Sequence, residues 1–503
     1  MSRPHTGGPL AARLRAAAAV LTPAEYPESA ERAESDDAGA TLERLTRALR
    51  AEPSARRTWL LLTAISAAYP TGDAVREAMR AIELLDADAA TLWLLDACLA
   101  DASEGGASDR SIDIVVGRVV VDVDFSARHD VHTGIQRVVR STMPHWADKQ
   151  DVVTAAWTPG QAALRTLSDD ESTRVLRWAQ WRAGVQEVTG VPATVAEAEW
   201  SLIVPWDCVV VVSEVPHRVV CPRLAGLAEL SGNRVVAIGY DCIPVISANL
   251  VPANEPNRFV QYLAAVKFMR RVAGISVSAT AEFAGFAQML ATQGLPGPEV
   301  VECALPSQTP EVLPPPPARE RPLVLCIGSF EPRKNQLALL YAAETLWREG
   351  IDFELRFIGG GGVSRDFPKR VRRLAAKGYR VSIATGITDD ALDSAYAAAR
   401  FTVFTSVHEG YGLPVAESLS HGTPVITSDY GSTREIAAGG GTVLVDPRDD
   451  SALVEAMRSL LTGDARIAAL RAEIAERPSR GWDDYARELW DCLVAPELPA
   501  GGR

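Results

Sequence analysis

Short runs of valine and isoleucine, each long enough for one strand, alternate with helix-period segments from residue 112 to about 460. This alternation constrains the fold more than any other feature. VVGRVVVDVDF, DVVTAAW, DCVVVVSEV, RVVAIGYD and GISVSA read as buried strands. GIQRVVRSTMPHWA and NRFVQYLAAVKFMRRVAG read as helices between them. Apolar strands alternating with helices predict a parallel sheet covered on both faces. The series stops at LPSQTPEVLPPPPARERP, residues 305–322, because a run of prolines continues neither a helix nor an inner strand. It restarts with PLVLCIGSF, FELRFIGGGG, RVSIATG, FTVFTS and PVITSD, with helices from Asn335, through VRRLAAKG, up to Arg400 and near 451–462. The expected class is α/β. Two doubly wound, Rossmann-like domains, 110–310 and 318–480, face a cleft, and a C-terminal helix and tail occupy 481–503. Ligands of such sheets bind beyond the carboxyl ends of the strands.

Residues 1–105 have a different texture, rich in Ala, Leu, Arg and Glu and helical in period. Trp59 and Trp93 are 34 residues apart in TWLL and LWLL, each preceded by a helix-sized segment. That spacing suggests two degenerate tetratricopeptide-type helix pairs; a plain helical bundle fits it too. The region is expected to be an all-α extension after which ASEGGASD, 102–109, is a linker, and its helices are a candidate surface for a protein partner. A 503-residue chain fits about three domains. The net charge of −13 argues against nucleic-acid binding, which needs a basic face. Seven cysteines without a CxxC pair suggest reduced thiols and a cytoplasmic setting. The N-terminus lacks the apolar core of a signal peptide, and no apolar run approaches the ~20 residues of a membrane span. KFMRR, 267–271, and KRVRR, 369–373, read as basic helical stretches that would touch an anionic inner-membrane face or, more simply, water.

The stretches that carry chemistry cluster in the second half. In FTSVHEGYGLP, a strand runs through a glycine turn into a helix; Gly410 and Gly412 permit a tight turn, and the helix start favours a phosphate through the N–H groups of 412–415. Glu409 and Glu417 flank that turn. Were the whole segment helical, eight residues would separate them by ~12 Å. That is too far for a glycosidase pair and better suited to gripping two ends of one elongated ligand. GSFEPRKNQ, 328–336, sets Arg333 beside Lys334 after a strand, and Lys334 is one of only five lysines. Two such cations suit a diphosphate. In DVHTGIQRVVR, Gly134 holds the place of a nucleotide-loop glycine, flanked by His129 and His132. Asp241, in YDCIPVI, either bonds an acceptor hydroxyl or caps the following turn. FIGGGG, 357–362, either approaches a ligand by its backbone or is a plain loop. DVD at 122–124 lies within a strand pattern, and neither metal-ligand spacings nor a GxSxG is present.

Taken together, GSFEPRKNQ, EGYGLPVAES and HGTPVITSDYGSTREI resemble the donor-binding half of retaining GT-B glycosyltransferases of family 4. HTGIQRVVR and YDCIPV resemble, more weakly, polysaccharide mannosyl- and rhamnosyltransferases of that family. The resemblance implies a GT-B fold and metal-independent transfer of a sugar from a nucleotide-sugar donor to a hydroxyl acceptor, with no cofactor. It implies a donor-binding set of Gly134, Gly328, Arg333, Lys334, Gly410, Tyr411, Gly412, Leu413 and Glu417, with Glu417 on the ribose. It implies a catalytic set of Glu409, Arg333, Lys334 and Asp241. Many relatives carry a histidine where Tyr240 stands, so Asp241 is expected to carry more of the first-half site. A nucleotide-sugar epimerase, a glycan phosphorylase and a non-catalytic scaffold are the competing readings.

Overall fold

The computed structural model describes residues 8–23, 37–105, 107–187, 200–308, 319–362 and 366–499. Its first sheet contains β1 (Ile112–Val116), β2 (Val119–Asp122), β3 (Val152–Trp157), β4 (Leu164–Thr166), β5 (Leu202–Trp206), β6 (Val209–Val212), β7 (Arg234–Gly239), β8 (Arg271–Gly274) and β9 (Glu299–Glu302). Their order is β1-β5-β4-β3-β2-β6-β7-β8-β9, parallel except where β4 runs against β3 and β5. The second sheet contains β10 (Leu323–Ile327), β11 (Glu354–Ile358), β12 (Val381–Ala384), β13 (Phe401–Phe404), β14 (Val425–Ser428) and β15 (Thr442–Val445). It is parallel, in the order β12-β11-β10-β13-β14-β15. That is the strand order of a dinucleotide-binding sheet, with the order reversing between β10 and β13. Burial on both faces explains the largely apolar strands: every residue of β2, β6 and β13 is buried.

Four local expectations change. VVGRVVVDVDF is two strands, because Gly117 (φ +69°) turns the chain between them. β1 then lies at the sheet edge beside β5, whereas β2 sits between β3 and β6. The helix expected over NRFVQYLAAVKFMRRVAG ends at Val266, and RVAG is β8. GISVSA therefore does not form the strand; it leads from β8 into the helix Val277–Ala291. KFMRR is accordingly a turn and strand start, with Met269 buried and Arg271 paired to Glu299, rather than a basic helix. KRVRR does lie on a helix, Phe367–Ala376, which buries Phe367, Val371 and Leu374 and turns its cations to solvent.

The N-terminal region is helical but not an appendage. Its helices, Pro9–Leu21, Ala38–Ala51, Ala55–Ser66, Gly72–Leu84 and Ala87–Gly105, share one core with the first sheet. Trp59 packs tilted on Tyr69, which meets the β3 residue Trp157 edge-on, with centroids 5.1 and 5.9 Å apart. Arg223 ties the carbonyl of Tyr69 (2.6 Å) to Asp101. Gly226 lies so close to the backbone carbonyl of Pro70 that a Cβ would meet it at 2.5 Å. Most of this face is spent on the sheet. The outer side of Ala87–Gly105 remains open, with Leu92 and Leu99 68% and 63% exposed.

The helix expected after residue 480 packs against the first domain. The helix Trp482–Leu489 and the π-helical segment Trp490–Val494 return to the first domain. There Trp146 meets the Trp490 ring edge-on at 5.4 Å and donates to the carbonyl of Ala486 (2.8 Å). The linker prolines, 314–317, lie outside the described residues.

Candidate active site

The reversal between β10 and β13 places the two loops expected to bind donor side by side. After β10 the chain turns at Gly328 (φ +139°) into a 3-10 turn, Pro332–Lys334. The following helix starts only at Gln336, so Arg333 and Lys334 sit on the turn and clear of the positive helix end. After β13 the chain delivers Glu409. Its carboxylate accepts from Arg333 Nη1 at 3.0 Å and from Lys334 Nζ at 2.6 Å. Arg333 Nε also donates to Glu331 at 2.8 Å. Burial opposes ionisation of Glu409, yet Lys334 and Arg333 outweigh it and hold the pKa at about 2. Burial lowers the pKa of Lys334, against the pull of Glu409. Burial disfavours the charge on Arg333 as well, but Glu409 and Glu331 more than offset it and raise its pKa. The firm direction is therefore an ionised Glu409 beside a charged Arg333.

FIGGGG supports this turn. A Cβ on Gly359 would lie 2.1 Å from the carbonyl oxygen of Gly328, and one on Gly362 2.3 Å from that of Phe330. These two glycines exist for backbone contact with the cation loop.

Gly412 (φ +111°) caps the helix Leu413–Ser420, where a side chain would be strained. Pro414 has no N–H and Val415 N bonds Gly412 O (2.9 Å), so the turn's amides are fewer than the stretch 412–415 suggests, with Gly412 and Leu413 foremost. Tyr411 turns its hydroxyl to the carbonyls of Leu305 and Pro306, fixing the turn to the interdomain linker. Gly410 lies directly against the first domain's backbone. A Cβ there would meet Tyr240 O at 2.3 Å and Asp241 Oδ2 at 3.1 Å, and its carbonyl accepts from Ser276 Oγ at 2.6 Å.

Asp241 thus stands across the cleft from the glycine turn. Burial raises its pKa to about 6, with Arg333 pulling down and Glu282 pushing up. It also accepts from Ile243 N (3.1 Å), so it caps its own turn as well as facing the site. Tyr240 donates to Ser213 O (2.7 Å), away from the cleft. Gly134 begins the helix Gly134–Lys149 and abuts Leu413, whose Cδ1 would lie 3.3 Å from a Cβ there. Two helix N-termini, one from each domain, therefore converge. Glu417 lies one turn further along, ion-paired with Arg137 and bonded by Tyr396 Oη at 2.7 Å.

Several residues here escaped the sequence reading. His408 reaches Ser247 and Glu282 of the first domain. Glu435 caps the helix Val277–Ala291 across the cleft, accepting from Val277 N (2.9 Å) and Ser278 N (2.8 Å). Buried Glu214, at the end of β6, accepts from Phe125 N, Ser126 N and Ser126 Oγ, and so shapes the loop before Gly134. His408 and Glu435 lie in stretches that had drawn notice. Glu282 and Glu214 carry no local signal, since only the tertiary fold supplies their partners. Glu282, His408, Glu409, Ser406 and Thr433 help line a cavity of about 200 Å³.

Residues 313–477 match the family described as glycosyl transferases group 1. The serotype-specific mannosyltransferase WbdA of Escherichia coli is 35% identical over 117 residues, 23% of this chain and 14% of that one. The O-antigen chain mannosyltransferase B of the same organism is 33% identical over 163 residues, 32% of this chain and 42% of that one. The D-inositol 3-phosphate glycosyltransferase of Acidothermus cellulolyticus is 33% identical over 171 residues, 32% and 38% of the two chains. The chain thus spans less than half the length of these curated relatives. Among solved structures, Anabaena HepE in complex with UDP and glucose superposes with a TM-score of 0.50 at 13% identity, covering 74% of this chain and 98% of that one. Two facing α/β domains, the carboxyl-terminal sheet order and this superposition give the molecule the GT-B architecture, and its residues 313–477 are similar to the group 1 glycosyl transferases.

Proposed function

We propose that the protein is a retaining, metal-independent glycosyltransferase that moves a sugar from a nucleotide-sugar donor to a hydroxyl acceptor in the cytoplasm. The observation that carries this reading is the cluster of Arg333, Lys334 and Glu409 beside the Gly412 turn, facing Asp241. Glu409 bonds both cations, and Glu331 shares Arg333. An arriving diphosphate would take over the guanidinium fork and the ammonium, freeing the Glu409 carboxylate to accept sugar hydroxyls. Glu417 would exchange Arg137 for the ribose. The growing charge on the leaving diphosphate would meet two cations and two helix N-termini, which do the work elsewhere given to a metal. In a front-face displacement the sugar–phosphate oxygen bond breaks, the acceptor oxygen bonds the same face, and the leaving diphosphate takes the acceptor proton. The closed domains exclude water from this step.

The mannosyltransferase names of two relatives put a mannose-bearing nucleotide first among donors to try. Thermal-shift screening with UDP-, GDP- and dTDP-sugars tests donor binding, since a ligand at ~100 Kd adds ~2.7 kcal/mol. Product anomeric configuration by NMR, with and without EDTA, tests retention and metal independence. An inverted product, or loss of turnover in EDTA, refutes the corresponding part.

A further inference from the structure

We propose that His408 is a positioning residue for sugar transfer, latching the donor domain to the acceptor domain through Glu282 and Ser247. Its role in turnover rests on the transferase reading; its role in closure does not. His408 follows β13 in the donor domain, next to Glu409. Its Nδ1 lies 2.8 Å from Ser247 Oγ and its Nε2 lies 2.6 Å from Glu282 Oε1. Those partners belong to separate elements of the acceptor domain: Ser247 ends the short helix after β7, and Glu282 lies in the helix after β8. The second oxygen of Glu282 accepts from Cys242 N at 2.5 Å, the residue beside Asp241. The carbonyl of His408 accepts from Arg333 Nη1 at 3.3 Å. One side chain therefore joins the cation cluster to the wall that holds Asp241. The His408 side chain bonds Ser247 and Glu282 rather than Asp241 or the Glu409 carboxylate, so it acts by setting the separation of those two acids.

An imidazolium donates to both partners; a neutral imidazole keeps the hydrogen bonds only by reversing Ser247 and forfeits the ion pair with Glu282. The groups acting on the ring are Ser247, Glu282 and Asp241 from the acceptor domain and Glu409 from its own, while Arg333 bonds the backbone carbonyl of His408. Burial works against the charge, but the hydrogen bond and charge of Glu282, with Asp241 and Glu409 behind it, raise the pKa. Since the closed form holds the proton more tightly than the open one, the latch is complete below the ordinary histidine value of about 6.5. It is lost as pH rises through the raised value of the closed form.

Small-angle scattering of the full chain at about pH 6 and about pH 9 reads this directly. The wild-type protein is expected to expand at the higher pH, whereas His408→Gln and Glu282→Gln are expected to be expanded at both. With donor and acceptor, His408→Gln should lower kcat by ~10-fold or more, change donor KM less than ~3-fold, and lose the alkaline fall in rate. His408→Ala should be worse than His408→Gln, which keeps one hydrogen bond. If a His408 variant does not fold, Ser247→Ala tests the same latch and should show a smaller shift in the same direction. A wild-type protein whose dimensions ignore pH, or variants that expand as the wild type does, overturn the proposal. A pH-dependent closure abolished in His408→Gln, found in a protein that turns over no sugar nucleotide, sustains the latch and refutes the transferase.

Discussion

Glu409 holds two cations on one carboxylate with its side chain only 10% exposed. Removing it leaves Arg333 and Lys334 facing one another with Glu331 and Asp241 as the nearby acids. Glu409→Ala should lower kcat/KM by about 10²–10³, the cost of deleting a group aimed at the reacting centre. It should also destabilise the fold by about 3–5 kcal/mol, because charges are left unpaired in a poorly hydrated site. Steady-state kinetics and denaturant unfolding measure the two effects. The carboxylate's pKa is depressed from 4.5 to about 2, so its contribution to stability is complete above about 4.5 and is lost as pH falls toward 2. Acid unfolding of Glu409→Gln should lack that component. At this scale Arg333, Lys334 and Glu409 drew notice because Lys334 is one of only five lysines and both stretches follow strands. His408, Glu282 and Arg137 were not, because each takes its meaning from a partner more than 100 residues away.

Among elements, the terminal helices depart furthest from the sequence reading. Amphipathic period showed that residues 38–105 are helical, but period says nothing about which surface a helix covers. Trp59 is fully buried against Tyr69, and Tyr69 donates to the β5 carbonyl of Ile203, so the helices complete the first sheet. A chain beginning at residue 110 would bare Leu202, Val204 and Val210 on that face. It should fail to fold, with little soluble yield and no cooperative thermal transition; a well-folded product would restore the view of a separable extension. At the other end, Trp490→Ala removes the ring packed edge-on against Trp146. It should cost about 3–5 kcal/mol in denaturant unfolding.

The whole molecule is two sheets brought together at a point too narrow for a side chain. Gly410 meets the backbone of Tyr240, and Ser276, Glu435, His408 and Arg137 bond across the same seam. In Gly410→Ala the added Cβ would lie 2.3 Å from the Tyr240 carbonyl, so the domains must part. Each domain should stay folded, while scattering shows a larger radius of gyration and kcat falls more than donor affinity. By itself the sequence determined the alternation of strand and helix, the break near the prolines and the cation, glycine and acid stretches of the second half. All of these are local, set by periodicity and by backbone freedom within a few residues. The tertiary structure alone decided that the helices at both ends of the described chain join the first domain and that Glu417 meets Arg137. It also brought His408 to Glu282, because such pairings depend on strand order and on how closely two sheets approach, which no local pattern encodes.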